Sequence, residues 1–198
     1  MSRQNPYKKV DSFTKKAKSA GFPARSVFKL EEIDQRARLL HSGQRVLDLG
    51  ASPGSWSLYA AQKIGPKGKL LAVDLKPLEV TLASPSVFVQ GDALSLDNDA
   101  LSMFAPYDVV LSDMAPNTSG NRSGDQARSF ELFMRALAVA AALTRPGGAF
   151  VGKIFMGAEF PLARAEVRKY FEQEKLFRPE GTRSVSYEIF IAGFNRRA

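Results

Sequence analysis

Continuous apolar runs alternate with helical patterns along most of the chain. Such runs are typical of parallel strands buried on both faces, and five are predicted, over 45–49, 69–74, 87–89, 107–112 and 149–155. Apolar residues spaced by three and four predict helices over 24–40, 57–64 and about 159–175. A polar loop over 118–125 leads to an alanine-rich helix that ends before Pro146, and two more strands follow the last helix, the clearer one over 185–194.

Strands that alternate with helices predict a doubly wound α/β fold, because parallel neighbours need a crossover connection that packs a helix on the sheet. We expect one domain over 24–198, with a mostly parallel seven-stranded sheet and helices on both faces. Residues 1–23 form a separate basic arm in which aromatic residues are interleaved with lysines. That composition fits an arm that contacts RNA, and it equally fits a solvated, partly disordered tail.

The composition favours one class of partner. The chain has 28 basic and 20 acidic residues among 198, a net charge of +8. This balance favours a polyanion, most commonly nucleic acid, over a basic protein without such a partner. No apolar stretch is long enough to span a membrane, so we expect no membrane partner. The absence of cysteine excludes disulfides, thiolate metal sites and a cysteine nucleophile, and it fits a cytoplasmic protein. The single histidine, His41, follows a predicted helix end and is expected in a loop.

A strand, a Gly/Ser/Pro turn and a helix follow one another over 46–56 and predict a cradle for a nucleoside-bearing ligand. Gly50 and Gly54 allow the main chain to approach that ligand closely. The dinucleotide fingerprint G-x-G-x-x-G is absent, and the carboxylate of Asp48 opposes a pyrophosphate. The same carboxylate favours S-adenosylmethionine (SAM), which carries an ammonium and a sulfonium group but no phosphate.

Two further acids lie at the ends of the second and third predicted strands. Asp74 is placed to accept hydrogen bonds from ribose hydroxyls, and Asp92 is placed to meet an adenine amino group. Each acid by itself is also compatible with capping a turn or a helix. Three acids on successive strands beside a glycine turn favour SAM as the cofactor, with S-adenosylhomocysteine as its product.

The acceptor is predicted from the fourth and fifth strands. Asp113 follows the fourth strand without the Asp/Asn-Pro-Pro-aromatic stretch of amino-methylating enzymes, and pyrimidine C5 methylation needs a cysteine that the chain lacks. An oxygen acceptor remains, and an alcohol must lose its proton as it attacks the methyl group. Lys153, inside an apolar strand, is the candidate base; the alternative is a lysine at a sheet edge with its head group in solvent. Lys29 and Glu188 are further polar residues in apolar surroundings, and we expect them to meet Lys153 at one site.

A family resemblance is carried by the cradle and by four other segments, 24–33, 112–120 with 125–126, 152–153 and 183–188. In these segments the chain resembles the FtsJ/RlmE family of ribosomal RNA 2′-O-methyltransferases. The resemblance implies a Rossmann-like, SAM-dependent methyltransferase fold. It places the family's K-D-K-E tetrad on Lys29, Asp113, Lys153 and Glu188. In that tetrad Lys153 is the base, Asp113 orients it, and the other two residues place the acceptor. The SAM-binding residues that it implies are Gly54, Trp56, Asp74, Asp92 and Asp113.

The same resemblance implies methylation of a uridine ribose in 23S rRNA, within the large ribosomal subunit, by a monomer. In-line transfer needs a donor, an oriented oxygen and a route for the proton, so we expect no metal. Three alternatives stay open: a tRNA 2′-O-methyltransferase, a small-molecule O-methyltransferase with a metal on Asp113 and Asn117, and a non-catalytic RNA-binding factor of ribosome assembly. Ser55 stands where the family usually has glycine, and it predicts either crowding at the methionine end of SAM or a hydrogen bond to its carboxylate.

Overall fold

The computed structural model describes residues 6–180 and 187–198. The helices are α1 (Pro6–Ser19), α2 (Val27–Ala37), α3 (Ser55–Ile64), α4 (Asn98–Leu101), α5 (Arg122–Leu143) and α6 (Phe160–Tyr170). The strands are β1 (Arg45–Leu49), β2 (Lys69–Asp74), β3 (Val87–Gln90), β4 (Tyr107–Ser112), β5 (Thr144–Phe155), β6 (Phe171–Phe177) and β7 (Glu188–Arg196). None of the helices within these residues is long and apolar enough to cross a bilayer.

The described strands form one seven-stranded sheet in the order β3-β2-β1-β4-β5-β7-β6. β1 to β5 pair in parallel, and β7 lies antiparallel between β5 and β6. The predicted doubly wound α/β fold with a mostly parallel seven-stranded sheet is therefore confirmed. The strand order reverses between β1 and β4, and sheets of this kind bind ligands at the carboxyl ends of the strands near such a switch point.

Helices cover both faces of the sheet, because its central strands are apolar on both sides. On one face α3 packs on the strands, and α1 and α2 belong to the same hydrophobic cluster, with Ala17 and Leu30 among the buried side chains. On the other face α5 and α6 pack on the strands and α4 packs on α5, with Leu101, Phe133 and Ala163 buried. Successive side chains of a strand point to opposite faces, so the choice of face decides which polar side chains can meet.

One element near the C-terminus differs from its prediction. The helix predicted over about 159–175 ends at Tyr170, and the next residues form the edge strand β6. Phe171 and Phe177 are buried, whereas the residues between them are mostly exposed, a spacing that does not alternate as in a typical strand. Hydrogen bonding to β7 makes this segment a strand. Of the strand predicted over 185–194, residues 185 and 186 lie outside the described residues, as do residues 183–186 of the predicted motif.

Several boundaries shift for local reasons. α2 ends at Ala37 because Arg38 adopts a left-handed conformation, and Asp34 Oδ1 accepts hydrogen bonds from the next two backbone N–H groups. α5 begins inside the predicted polar loop, where the Asn121 side chain caps its first turn. β5 begins earlier than predicted, at Thr144. Each shift depends on a cap or a pairing partner that apolar periodicity does not report.

The described part of the N-terminal arm is a helix, α1, that packs on the domain. Ala17 is fully buried, and the Phe13 ring lies 5.8 Å from that of Phe28 in α2, measured between centroids. A solvated tail is therefore the wrong description of this segment. His41 is exposed in the loop between α2 and β1, as the sequence predicts.

Candidate functional site

A cavity of about 820 Å³ opens at the carboxyl ends of β1 to β5. Each of the five parallel strands places at least one predicted site residue on its wall: Gly50, Asp74, Asp92, Asp113 and Lys153. These residues are far apart in the chain, and they meet because the carboxyl ends of parallel strands share one edge of the sheet. The cavity is the site in which we place the predicted chemistry.

The glycine turn after β1 lets the main chain pass close to the loop after β4. Gly50 has φ +79°, and its N–H donates to the Val73 carbonyl at 2.9 Å. A Cβ at this position would lie 2.6 Å from Met114 Cγ and 2.9 Å from its backbone nitrogen. Only glycine combines that conformation with that approach.

Asp74 holds the loops beside the cavity in place. Its Oδ2 accepts from the Ser52 N–H at 2.9 Å, and its Oδ1 accepts from the Lys76 N–H at 2.8 Å. Asp92 has a similar local role, because its Oδ1 accepts from the Leu94 N–H at 2.9 Å. Asp74 and Asp92 thus cap turns and line the cavity at the same time. The capping role that the sequence allows for each acid is therefore compatible with the predicted role in SAM binding.

Three of the predicted SAM residues do not line the cavity. Asp48 is fully buried behind it and accepts from Ser57 Oγ at 2.6 Å. Gly54 has φ +114° and lies at the N-terminus of α3, against Val80. Trp56 is buried, with its ring centroid 5.6 Å from that of Phe190. Direct contact of these three residues with SAM stays a prediction.

Burial changes the chemistry of Asp48. Complete desolvation raises its pKa from an ordinary 3.8 to about 7. The hydrogen bond from Ser57 opposes the rise, and the nearby carboxylates of Asp113 and Asp74 add to it. Since its folded-state pKa is higher than its unfolded one, Asp48 stabilises the fold in its protonated form. That contribution is complete below about pH 4 and is lost as the pH rises through about 7.

We therefore expect Asp48→Asn, which is neutral at every pH, to flatten the pH dependence of stability. The pKa difference corresponds to at most about 4 kcal/mol of unfolding free energy, most of it lost between about pH 4 and 7. Urea denaturation of both proteins across this range measures the effect. Asp99→Asn, at an exposed position of α4, should keep the wild-type profile. Parallel profiles for Asp48→Asn and wild type would contradict the prediction.

The four tetrad positions form two ion pairs. Lys153 Nζ lies 2.9 Å from Asp113 Oδ1 and donates to the Asp113 carbonyl at 2.5 Å. Lys29 Nζ lies 2.5 Å from Glu188 Oε1. Lys153 and Glu188 are 6% and 9% exposed, and burial of this extent needs the opposite charges that the structure supplies.

Sheet pairing explains how these residues come together. Lys153 pairs with Phe190 across the β5–β7 ladder, and Glu188 pairs with Phe155, two residues along each strand. Directly paired residues and residues two apart share one face of a sheet. α2 packs on that face and contributes Lys29, whose Nζ also lies 5.9 Å from the centre of the Phe190 ring. Topology thus brings Lys153, Glu188 and Lys29 to one face of the sheet, where Lys153 lines the cavity and Lys29 and Glu188 do not. The meeting of all four residues at one acceptor stays a prediction.

Ser55 and Trp56 tie α3 to the start of α2. The Ser55 hydroxyl accepts from the Ala24 N–H at 2.8 Å and donates to the Ala24 carbonyl at 3.0 Å. Trp56 Nε1 donates to the carbonyl of Ser26, the N-cap of α2, at 2.9 Å. Ser55 is buried and does not line the cavity, so its contact with SAM stays a prediction, as for the three residues above. Its hydroxyl positions the segment that leads to Lys29.

Removal of the Ser55 hydroxyl is expected to affect stability rather than cofactor affinity. Ser55→Ala leaves the Ala24 N–H and carbonyl without their side-chain partner, at a cost of about 1–3 kcal/mol. We expect that loss in urea denaturation, together with a SAM dissociation constant within about twofold of wild type by calorimetry. A large loss of SAM affinity at unchanged stability would show that the hydroxyl does act on the cofactor.

Sequence reasoning missed apolar residues on the cavity wall. Leu75 and Leu94 line the cavity although they are 64% and 49% exposed. They follow the strand-end acids Asp74 and Asp92 by one and two residues. An apolar residue just after a strand-end acid is the signal that could have found them, because a planar base needs apolar contact beside its polar anchors.

Comparison with known proteins adds independent observations. Residues 22–196 match the FtsJ-like methyltransferase family. A protein of Sorangium cellulosum named ribosomal RNA large subunit methyltransferase E is 66% identical over 195 residues, which cover 98% of this chain and 92% of that protein. A protein of the same name from Desulfatibacillum aliphaticivorans is 47% identical, with 94% and 91% covered. A Plasmodium falciparum structure described as a ribosomal RNA methyltransferase shares the fold at 22% identity, with a TM-score of 0.76 over 87% of this chain and 97% of that one.

Proposed function

The chain belongs to the FtsJ-like methyltransferase family, and we propose that it methylates the ribose 2′-oxygen of a uridine in 23S rRNA, with SAM as donor. The observation that carries this proposal is the Lys153–Asp113 ion pair on the wall of the cavity, with a second buried ion pair, Lys29–Glu188, on the same face of the sheet. Relatives named for the large ribosomal subunit cover nearly the whole chain, which favours rRNA over tRNA. We propose a cytoplasmic monomer that acts on the large subunit.

The residues around the cavity fit SAM. The carboxylates of Asp74 and Asp92 offer acceptors for ribose and adenine donors, and the exposed side chains of Leu75 and Leu94 offer apolar contact. Gly50 lines the same cavity and has no side chain between its backbone and the ligand. When bound, SAM supplies a methyl group on a positively charged sulfur. Asp113 lines the same cavity and also holds Lys153, so it connects the donor side of the site to the acceptor side.

In this proposal the protein orients the acceptor and receives its proton. Lys153 Nζ is fixed by the carboxylate and the carbonyl of Asp113, so its position on the cavity wall is defined before RNA binds. In its neutral form this amine takes the proton of the 2′-hydroxyl as the oxygen attacks the methyl group. Lys29 and Glu188 offer a donor and an acceptor that orient the ribose. A non-catalytic assembly factor has no use for four such residues in buried pairs.

Methyl transfer to purified ribosomal components tests the proposed function. Large ribosomal subunits and total tRNA, both from cells that lack the corresponding gene, are incubated with the protein and methyl-labelled SAM. We expect label in 23S rRNA, at one uridine, in a position that blocks alkaline cleavage of the neighbouring phosphodiester. Treatment of the protein with EDTA, followed by removal of the chelator before the assay, should leave the rate unchanged. Label in tRNA, in a base, or in no RNA would overturn the proposal.

A further inference from the structure

The positive charge of the chain is concentrated in its first 24 residues. They contain six basic residues and one acidic residue, so they supply +5 of the net charge of +8. The other 174 residues are close to electrical balance. A polyanionic partner is therefore attracted mainly to the N-terminal segment, in contrast to a protein whose basic residues are scattered.

This segment is held in a defined place. α1 packs on the domain through the buried Ala17 and through the contact of Phe13 with Phe28. Lys16 adds a cation–π contact, with its Nζ 5.0 Å from the centre of the Phe28 ring. Phe22, which follows α1, packs against the same hydrophobic core. The helix is thus anchored to α2 along one side.

Because one side of α1 packs on the domain, the residues on its other side are exposed to solvent. Phe13 and Ala17 are four residues apart and face the domain, whereas the exposed Lys15 and Lys18 lie on the other side of the helix. Lys16 is exposed at the edge of the anchoring side, beside Phe28. Phe28, on which α1 rests, directly precedes Lys29 of the acceptor-side ion pair. α1 therefore contacts the turn of α2 that carries Lys29.

We propose that α1 is an RNA-docking surface whose lysines bind the phosphate backbone next to the nucleotide that enters the site. This inference rests on the proposed function, because it assigns the RNA that is methylated as the ligand of the helix. Lysine binds phosphate as a point charge and does not read bases. The surface therefore contributes affinity and orientation, and the choice of nucleotide is left to the cavity.

Charge neutralisation on α1 tests the proposal in the full-length protein. Lys15→Gln with Lys18→Gln removes two charges while keeping a residue of similar helix propensity. The matched control, Lys67→Gln with Lys69→Gln, removes two exposed charges at the opposite end of the sheet. Binding of protein-free 23S rRNA is measured between about 50 and 300 mM salt, together with KM and kcat for methyl transfer and with SAM affinity.

For the α1 variant we expect the slope of log affinity against log salt to fall by about 1.5, as for two lost phosphate contacts. At about 100 mM salt this corresponds to roughly tenfold weaker RNA binding or more, with a raised KM and an unchanged kcat. SAM affinity and circular dichroism should match wild type, and the control pair should bind RNA within about twofold of it.

An unchanged salt slope and KM in the α1 variant would overturn the docking surface while leaving the proposed function intact. A loss that appears with whole subunits but not with protein-free rRNA would also overturn it, because the partner of α1 would then be a protein. Failure of the wild-type protein to methylate rRNA would refute the proposed function. The salt dependence of RNA binding by wild type and the α1 variant would still show whether α1 binds RNA.

Discussion

Replacement of Lys153 by methionine should lower the rate of methyl transfer by about 10²–10⁴-fold while SAM still binds. Methionine keeps the length of the buried side chain but has no group that accepts the proton of the 2′-hydroxyl. The remaining carboxylate of Asp113 lines the cavity, so water can solvate it after the lysine is lost. Single-turnover transfer at saturating SAM, with SAM affinity measured in parallel, separates chemistry from binding.

Two further variants make the Lys153 experiment decisive. Lys153→Arg keeps the positive charge next to Asp113, but a guanidinium is not deprotonated in proteins. Lys153→Arg should therefore transfer methyl groups nearly as slowly as Lys153→Met. If Lys153 served only to supply positive charge, Lys153→Arg would keep substantial activity. Lys175→Met, on the exposed edge strand β6, should transfer at the wild-type rate. Wild-type transfer by folded Lys153→Met would refute the base assignment.

Gly50→Ala is expected to damage both stability and the cofactor cavity. The new Cβ would meet Met114 at 2.6 Å, and its backbone nitrogen at 2.9 Å, so the loop after β4 must shift. Gly50 itself cannot easily move, because it is hydrogen-bonded to Val73 and follows a strand paired on both sides. Overpacking and the left-handed conformation together cost about 2–5 kcal/mol. We also expect SAM affinity to fall at least tenfold, since the displaced loop lines the cavity.

A substitution at a second glycine, Gly43, separates the cost of the clash with Met114 from the cost of the left-handed backbone conformation. Gly43 has φ +85°, close to that of Gly50, but a Cβ there would have no neighbour within 4 Å. Gly43→Ala should therefore cost only about 1 kcal/mol, from backbone conformation alone, and should leave SAM affinity unchanged. Urea denaturation and calorimetry of both variants measure the difference. Equal losses of stability would show that the approach of Met114 is unimportant.

Local patterns were sufficient to predict the first half of the sheet. The bounds of β1, β2 and β4 agree with the prediction, because continuous apolar runs bounded by glycine and polar residues leave little freedom in a buried parallel strand. The positions of Asp74 and Asp92 beside the cavity follow from the same fact. Once the strands are known to be parallel, the residues at their carboxyl ends must converge.

Long-range contacts decided what those patterns could not. Exposed charged residues between Phe171 and Phe177 are compatible with a helix, and pairing with β7 makes them a strand. The glycine turn shows where a ligand can approach, but not that Asp48 and Trp56 lie behind the cavity wall. The direction of the Ser55 hydroxyl depends on Ala24, thirty-one residues away in the chain.

The sequence by itself determined the fold class, the edge of the sheet that carries the site and the residue types of the tetrad. These follow from apolar periodicity, which acts over a few residues, and from motifs that resemble one family. The family resemblance also implied that Asp113 orients Lys153. Only the tertiary structure decided that Lys29 pairs with Glu188 and that the basic arm rests on Phe28. The physical reason is that these contacts join different elements, whose relative positions are set by sheet order and helix packing rather than by neighbouring residues.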